Sequence, residues 1–149
     1  MGLVGAGTRR DTAAVDEREV DPGAADQTPA LRLAAVLLTG GTLHFAVPRF
    51  FDGIIPAQLP GPARTYTRVS GIAALGIGAG LSVSRTRRTS AALACGFFVA
   101  VLPAKVQLAV DWWPKGRVAA TIGIAQLFWQ IPLITESIRA HRRAPAPHR

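Results

Sequence analysis

Acidic side chains are nearly missing from the long middle of this sequence. From Leu31 to Ile138 only Asp52, Asp111 and Glu136 appear, against six acids in residues 1–30 (Asp11, Asp16, Glu17, Glu19, Asp21 and Asp26). Helices of a soluble bundle keep a charged face toward water, and a run this poor in charge argues against one. Cysteine is as scarce. Cys95 stands alone, which excludes an internal disulfide framework and a Cys-x-x-Cys redox pair; inside its apolar segment it reads as a small packing residue. Histidine occurs as His44, His141 and His148, too dispersed to ligate a haem in one pocket. No phosphate-cradling loop is present either, because Gly2, Gly5 and Gly7 follow no strand and run into charged residues. The first ten residues lack the order of a secretory signal.

What is abundant is apolar sequence bounded by arginine. Four stretches, at about residues 31–47, 69–84, 89–110 and 118–138, are each long enough to cross a bilayer at ~1.5 Å per residue, which takes roughly 17–20 residues. The second is the shortest, with Tyr66 as an interfacial anchor. The expected fold is therefore an all-α, integral membrane four-helix bundle, preceded by a disordered charged tail (1–30) and followed by a basic tail (139–149). The net charge of +8 does not imply a nucleic-acid partner. Its arginines cluster at the ends of the apolar runs, as in Arg85-Thr86-Arg87-Arg88 and Arg139–Arg143, and stripe no single face. The tail from Arg139 onward reads as an extension that binds lipid head groups.

Orientation follows from the basic residues outside the spans. One side carries Arg9, Arg10, Arg18, Arg32, Arg85, Arg87, Arg88, Arg139, Arg142, Arg143 and Arg149; the other carries Arg49, Arg64, Arg68, Lys115 and Arg117. The positive-inside rule then places both termini in the cytoplasm, in the cell membrane. Trp112 and Trp113 form an outer aromatic belt. Gly76 and Gly80, four apart, offer a face for close helix packing. Pro103 and Pro132 are expected to kink the third and fourth helices.

The linker after the first span, Pro48-Arg-Phe-Phe-Asp-Gly-Ile-Ile-Pro-Ala-Gln-Leu-Pro-Gly-Pro62, is too rich in proline to span and too apolar for a solvated loop. Phe50, Phe51, Asp52, Ile54, Ile55, Pro56, Leu59 and Pro60 make it either a lid over the outward mouth or an interfacial anchor. The residues His44-Phe45, Pro48, Phe51, Ile54-Ile55-Pro56 and Leu59-Pro60, then Ser70-Gly71, Arg85–Arg88 and Pro103-Ala104, resemble a DoxX-like membrane protein over about residues 36–138. That resemblance implies a four-helix membrane bundle associated with quinone- or thiol-linked redox chemistry. The chain departs from the family pattern at Ala74, Lys105 and Gln126, where the pattern often has glutamate, asparagine and arginine, and agrees with it at Gln130 and Pro132. The departures put an inherited catalytic role in doubt.

Counted inward from the outer helix ends, His44, Ala74, Lys105 and Gln126 share one layer about 5–12 Å deep. A charge at mid-bilayer costs roughly 2.5–3.5 kcal/mol on insertion scales, so an intramembrane lysine is a functional candidate. Two readings follow. In one, Lys105, His44 and Gln126 line an outward-facing polar pocket for a quinone head group or an anionic partner group, with Asp52 able to neutralise Lys105 if its loop folds inward. In the other, Lys105 snorkels to the interface and His44 caps backbone carbonyls. The expected function is a non-catalytic subunit or scaffold of a membrane redox complex, with an oxidoreductase partner and no metal, haem or nucleotide signature. The alternative is a small transporter or channel component acting as a homo-oligomer.

Overall fold

The computed structural model describes residues 26–144, and among them every regular element is helical: α1 Thr28–Ala46, α2 Pro48–Asp52, α3 Ala63–Ser82, α4 Arg87–Ala100, α5 Leu102–Trp112, a 3-10 turn at Trp113–Lys115, and α6 Arg117–Arg143. The tail over residues 1–25, with its expected disorder, lies outside the described residues, as do His148 and Arg149. Helix α1 packs along α3, α3 meets α4, α4 and α5 lie on α6, and α6 closes back on α1. The short α2 folds onto α3 and the end of α1.

The helix boundaries follow local chemistry. Pro29 starts α1, where a missing N–H costs nothing, and Asp26 Oδ1 accepts from the Thr28 N–H at 3.0 Å. The helix therefore begins inside the segment expected to be tail. Extended Pro62 starts α3 six residues before the expected span. The third expected span is two helices that part at Val101, two residues before Pro103. The fourth is not interrupted: α6 runs through Pro132. A proline removes one hydrogen bond, and α6 is held across that loss by packing against α4, α5 and α1. Gly116, at φ 108° and ψ 167°, opens α6 in a conformation essentially reserved for glycine.

Three helical runs are long and apolar enough to cross a membrane: Thr28–Ala46, Arg87–Lys115 (α4, α5 and the 3-10 turn together) and Arg117–Arg143. The 20-residue α3 is not among them; it carries Arg64 and Arg68 in its first turns and eight small or hydroxyl residues after Ser70. The distribution of side chains is inverted relative to a water-soluble bundle. The interior is built on small residues, Ala30, Ala34, Ala74, Ala91, Ala94 and Ala140, with Leu33, Leu37, Leu81, Phe98 and Leu133 between them. Large apolar groups such as Val69, Ile72, Val110, Phe128, Trp129 and Ile131 face outward. Such a surface suits a hydrocarbon solvent, in which close packing of small residues holds helices together.

The close-packing glycines are not the expected pair. Gly76 is exposed, and a Cβ built there would meet nothing within 4 Å. Gly80 does pack, against Ser90 of α4. The α1–α3 seam is made instead by Gly41, where a Cβ would stand 2.8 Å from Leu75 Cγ and 3.0 Å from the Gly71 carbonyl, and by Gly71 and Gly78, where it would press on Phe45 and Leu38.

Arg87 holds the arginine-rich end. It is only 4% exposed, yet no carboxylate among the described residues pairs with it. Its Nε donates to the Leu81 carbonyl (2.9 Å), one terminal nitrogen to Ser82 O (3.2 Å) and the other to Gln27 Oε1 (2.7 Å). The guanidinium thus sits on the carbonyls left free at the end of α3, where the helix dipole favours a cation. At the same end, His141 Nδ1 donates to the Arg88 carbonyl at 2.9 Å and Arg143 pairs with Asp26.

Candidate functional site

A cavity of about 430 Å³ lies between α1, α3, α4, α5 and α6, with α2 and the following loop over it. His44, Lys105 and Gln126, which belong to three different helices, all line it. Ala74 does too, so the three positions at which the chain departs from the pattern described above line one cavity. Most of the remaining lining is aliphatic or aromatic, with Thr67, Ser70 and Gln130 as further polar groups.

Lys105 is half-buried and points into the bundle, where Nζ donates to Gln126 Oε1 at 3.2 Å. The ion pairs among the described residues are Arg64–Asp52, Arg139–Glu136 and Arg143–Asp26, and Lys105 enters none of them. Asp52 does not reach it. The α2 segment folds inward, but Asp52 accepts from Thr67 Oγ1 at 2.7 Å and from Arg64 Nε at 2.8 Å. The Thr67 hydroxyl, and after it the Arg64 guanidinium, hold this carboxyl below the usual carboxylate range against a smaller opposing effect of desolvation.

His44 is fixed twice. A carbonyl can only accept, so Nδ1 donates to Gly40 O at 2.7 Å. The ring stacks on Phe51 with centroids 3.8 Å apart and planes 21° apart, and Phe50 meets Phe51 edge-on at 5.4 Å. Phe51 and Asp52 therefore pin the loop over the cavity mouth, one by stacking and one by hydrogen bonds. Farther along, Pro60 accepts from the Tyr66 hydroxyl at 2.6 Å, and Pro56 from the Leu59 N–H at 3.1 Å. Of the tryptophan pair, Trp112 lines the cavity and Trp113 is exposed.

Three residues that the depth argument passed over, Gln130, Thr67 and Ser70, complete the site. Gln130 is 1% exposed and donates from Nε2 to the Phe98 carbonyl at 2.6 Å, while its Oε1 has no partner among the described residues. Gln126 Nε2 is likewise buried and unpaired among them. The signal for this was present in the spacing: Gln126 and Gln130 lie one turn apart on an apolar helix, and Thr67 and Ser70 one turn apart on α3. Among the described residues, no three His, Cys, Asp or Glu side chains gather where they could hold a metal. The arrangement offers an ammonium, an amide donor, an amide acceptor and an imidazole around one apolar chamber.

No curated protein and no solved structure matches the chain. A family described as a domain of unknown function, DUF8561, matches residues 33–141, a stretch that includes the whole lining of the cavity, and the chain belongs to that family.

Proposed function

We propose that this protein is an integral membrane four-helix bundle of the DoxX-like kind, with both termini in the cytoplasm. Its outward-opening cavity binds a membrane-soluble molecule, and it serves a membrane redox complex, quinone- or thiol-linked, as a non-catalytic subunit. The observation that carries the reading is Lys105 directed into an apolar chamber onto Gln126, with the Phe51–Asp52 segment closing the mouth as a lid. A lysine free to snorkel would instead leave the bundle, and a surface covered by large apolar groups supports lipid as the solvent outside.

Topology supports the orientation. Alternate helix ends gather Arg85, Arg87, Arg88, Arg139, Arg142 and Arg143 on one side and Arg49, Arg64, Lys115 and Arg117 on the other. Cysteines introduced at Arg85 and at Lys115 test this with a reagent that does not enter intact cells. Labelling at Lys115 alone is expected; labelling at Arg85 alone reverses the orientation.

Purification in mild detergent tests the role. A co-purifying oxidoreductase, lost on Lys105→Met at unchanged abundance, is the expected result. The break between α4 and α5, whose residues Val101 and Ala104 line the cavity, favours a second reading as a small oligomeric transporter. A discrete homo-oligomer that supports solute flux in liposomes would establish that reading in place of the first.

A further inference from the structure

The geometry points to a carboxylate amphiphile, a fatty acid of about a dozen carbons, as the ligand of this cavity, with its head group on Lys105 and Gln126 and its chain along the apolar wall. The inference rests on the binding role proposed above and names the chemistry of the occupant.

Charge comes first. Among the described residues, Lys105 is the sole charged side chain lining the cavity. Asp52, on the loop over the mouth, is already committed to Arg64 and Thr67. The one described partner of Lys105 Nζ is the neutral Gln126 carbonyl oxygen, so an ammonium has N–H groups left for an acceptor that the described residues do not supply. A buried charge in an apolar chamber calls for an opposite one, and a carboxylate satisfies it with charge-assisted hydrogen bonds. The glutamine pair supports the same head group: among the described residues Gln126 Nε2 is a buried donor without a partner, and a carboxylate accepts from it.

Shape comes second. The wall away from Lys105 is aliphatic and aromatic, through Leu37, Phe97, Phe98, Leu108 and Leu133. At roughly 30 Å³ for each water-sized group, the cavity of about 430 Å³ accommodates about fourteen such groups, the size of a medium-chain acid. Access comes third. Val36 of α1 and Ile122 and Trp129 of α6 line the cavity and are also exposed, at 39%, 51% and 61%. These helices pack against each other, so the chamber reaches the lipid-facing surface sideways, the route by which an amphiphile would enter from the bilayer.

The test uses the full chain in phosphatidylcholine nanodiscs with a photoreactive dodecanoate, the labelled peptides being mapped by mass spectrometry. Labelling on Phe97–Leu108 and Ile122–Leu133 is expected, and unlabelled dodecanoate should compete at least about tenfold better than dodecanol or decylubiquinone. Lys105→Met should lose the protection, and Lys105→Arg should keep most of it. The wild-type competition series needs no variant, so it stands even if Lys105→Met fails to fold. Dodecanol competing as well as dodecanoate overturns the assignment. Decylubiquinone competing best overturns it while leaving the proposed quinone-linked role intact, and the absence of saturable labelling with any competitor overturns both.

Discussion

Gln130 of α6 reaches across to α4 and donates to the Phe98 carbonyl at 2.6 Å, just before the helix parts at Val101. The break leaves the Phe98 carbonyl without the Leu102 N–H that an unbroken helix would supply, and the Val99 carbonyl loses its partner because Pro103 has no N–H. The buried glutamine takes over one of them from another helix. The break is therefore a supported feature of the fold, and the cavity lies against it.

Gln130→Leu removes that donor and leaves the Phe98 carbonyl unpaired in an apolar setting. The expected loss of stability is about 1–3 kcal/mol, read as a lowered midpoint for unfolding in detergent. Gln130→Met tests the donor specifically, since a thioether of similar length cannot donate. If Gln130→Leu melts like the parent, the hydrogen bond does not support the break.

Arg87→Lys keeps the charge but cannot reproduce the fork that reaches Leu81, Ser82 and Gln27 together. At roughly 1.5–3 kcal/mol for a hydrogen bond to a charged group, the substitution should destabilise the arginine-rich end measurably. Hydrogen exchange should rise at the end of α3 and at the start of α1, with little change near His44. Uniform exchange across all helices would contradict a local clamp.

The lid carries a pH dependence whose sign is set by Asp52. Its folded carboxyl titrates below the ordinary range because Thr67 and then Arg64 favour the charged form. The stabilisation is complete above the unfolded value of about 3.9 and is lost as pH falls through the lower folded value. Thermal unfolding in detergent between neutral and strongly acidic pH should show the parent losing stability at the acid end. Asp52→Asn should start lower and follow a flatter course. Parallel curves would remove Asp52 from the account.

Two helical glycines, one outside the seams and one within the α1–α3 seam, should respond in opposite directions. Gly76→Ala adds a methyl group in open space and restricts the unfolded chain, for a gain of about 0.5–1 kcal/mol. Gly41→Ala forces a Cβ toward Leu75 and the Gly71 carbonyl, at a cost of about 1–3 kcal/mol from overpacking. Melting temperatures of the two variants decide it. Similar shifts of one sign would mean that the α1–α3 seam is not the tight one.

Some of this was legible along the chain because it depends on neighbours in sequence. Helical content, the apolar runs, the loop from Pro48 and the shared depth of His44, Lys105 and Gln126 are properties of periodicity and rise per residue. The pairing within that layer was not. Depth along an axis does not specify which way a side chain turns, and Asp52 could be counted for Lys105 only until Thr67 and Arg64 were seen to hold it. The glycine face was misread for the same reason: Gly76 and Gly80 are four apart, yet the rotation of α3 against α1 puts Gly71 and Gly78 in the seam and leaves Gly76 outside.

The order of residues by itself determined that the described chain is helical and which ends collect arginine, because these follow from backbone geometry and local solvation. Only the tertiary structure decided that the helix parts before Pro103 and runs on through Pro132, that Arg87 is buried on the end of α3 rather than solvated, that Gln130 supports the break in front of Pro103, and that Lys105 faces a chamber with no carboxylate from the described residues in it. Each of these depends on the rotation of one helix about its axis relative to another, and that angle is chosen by the packing of small residues across the seams.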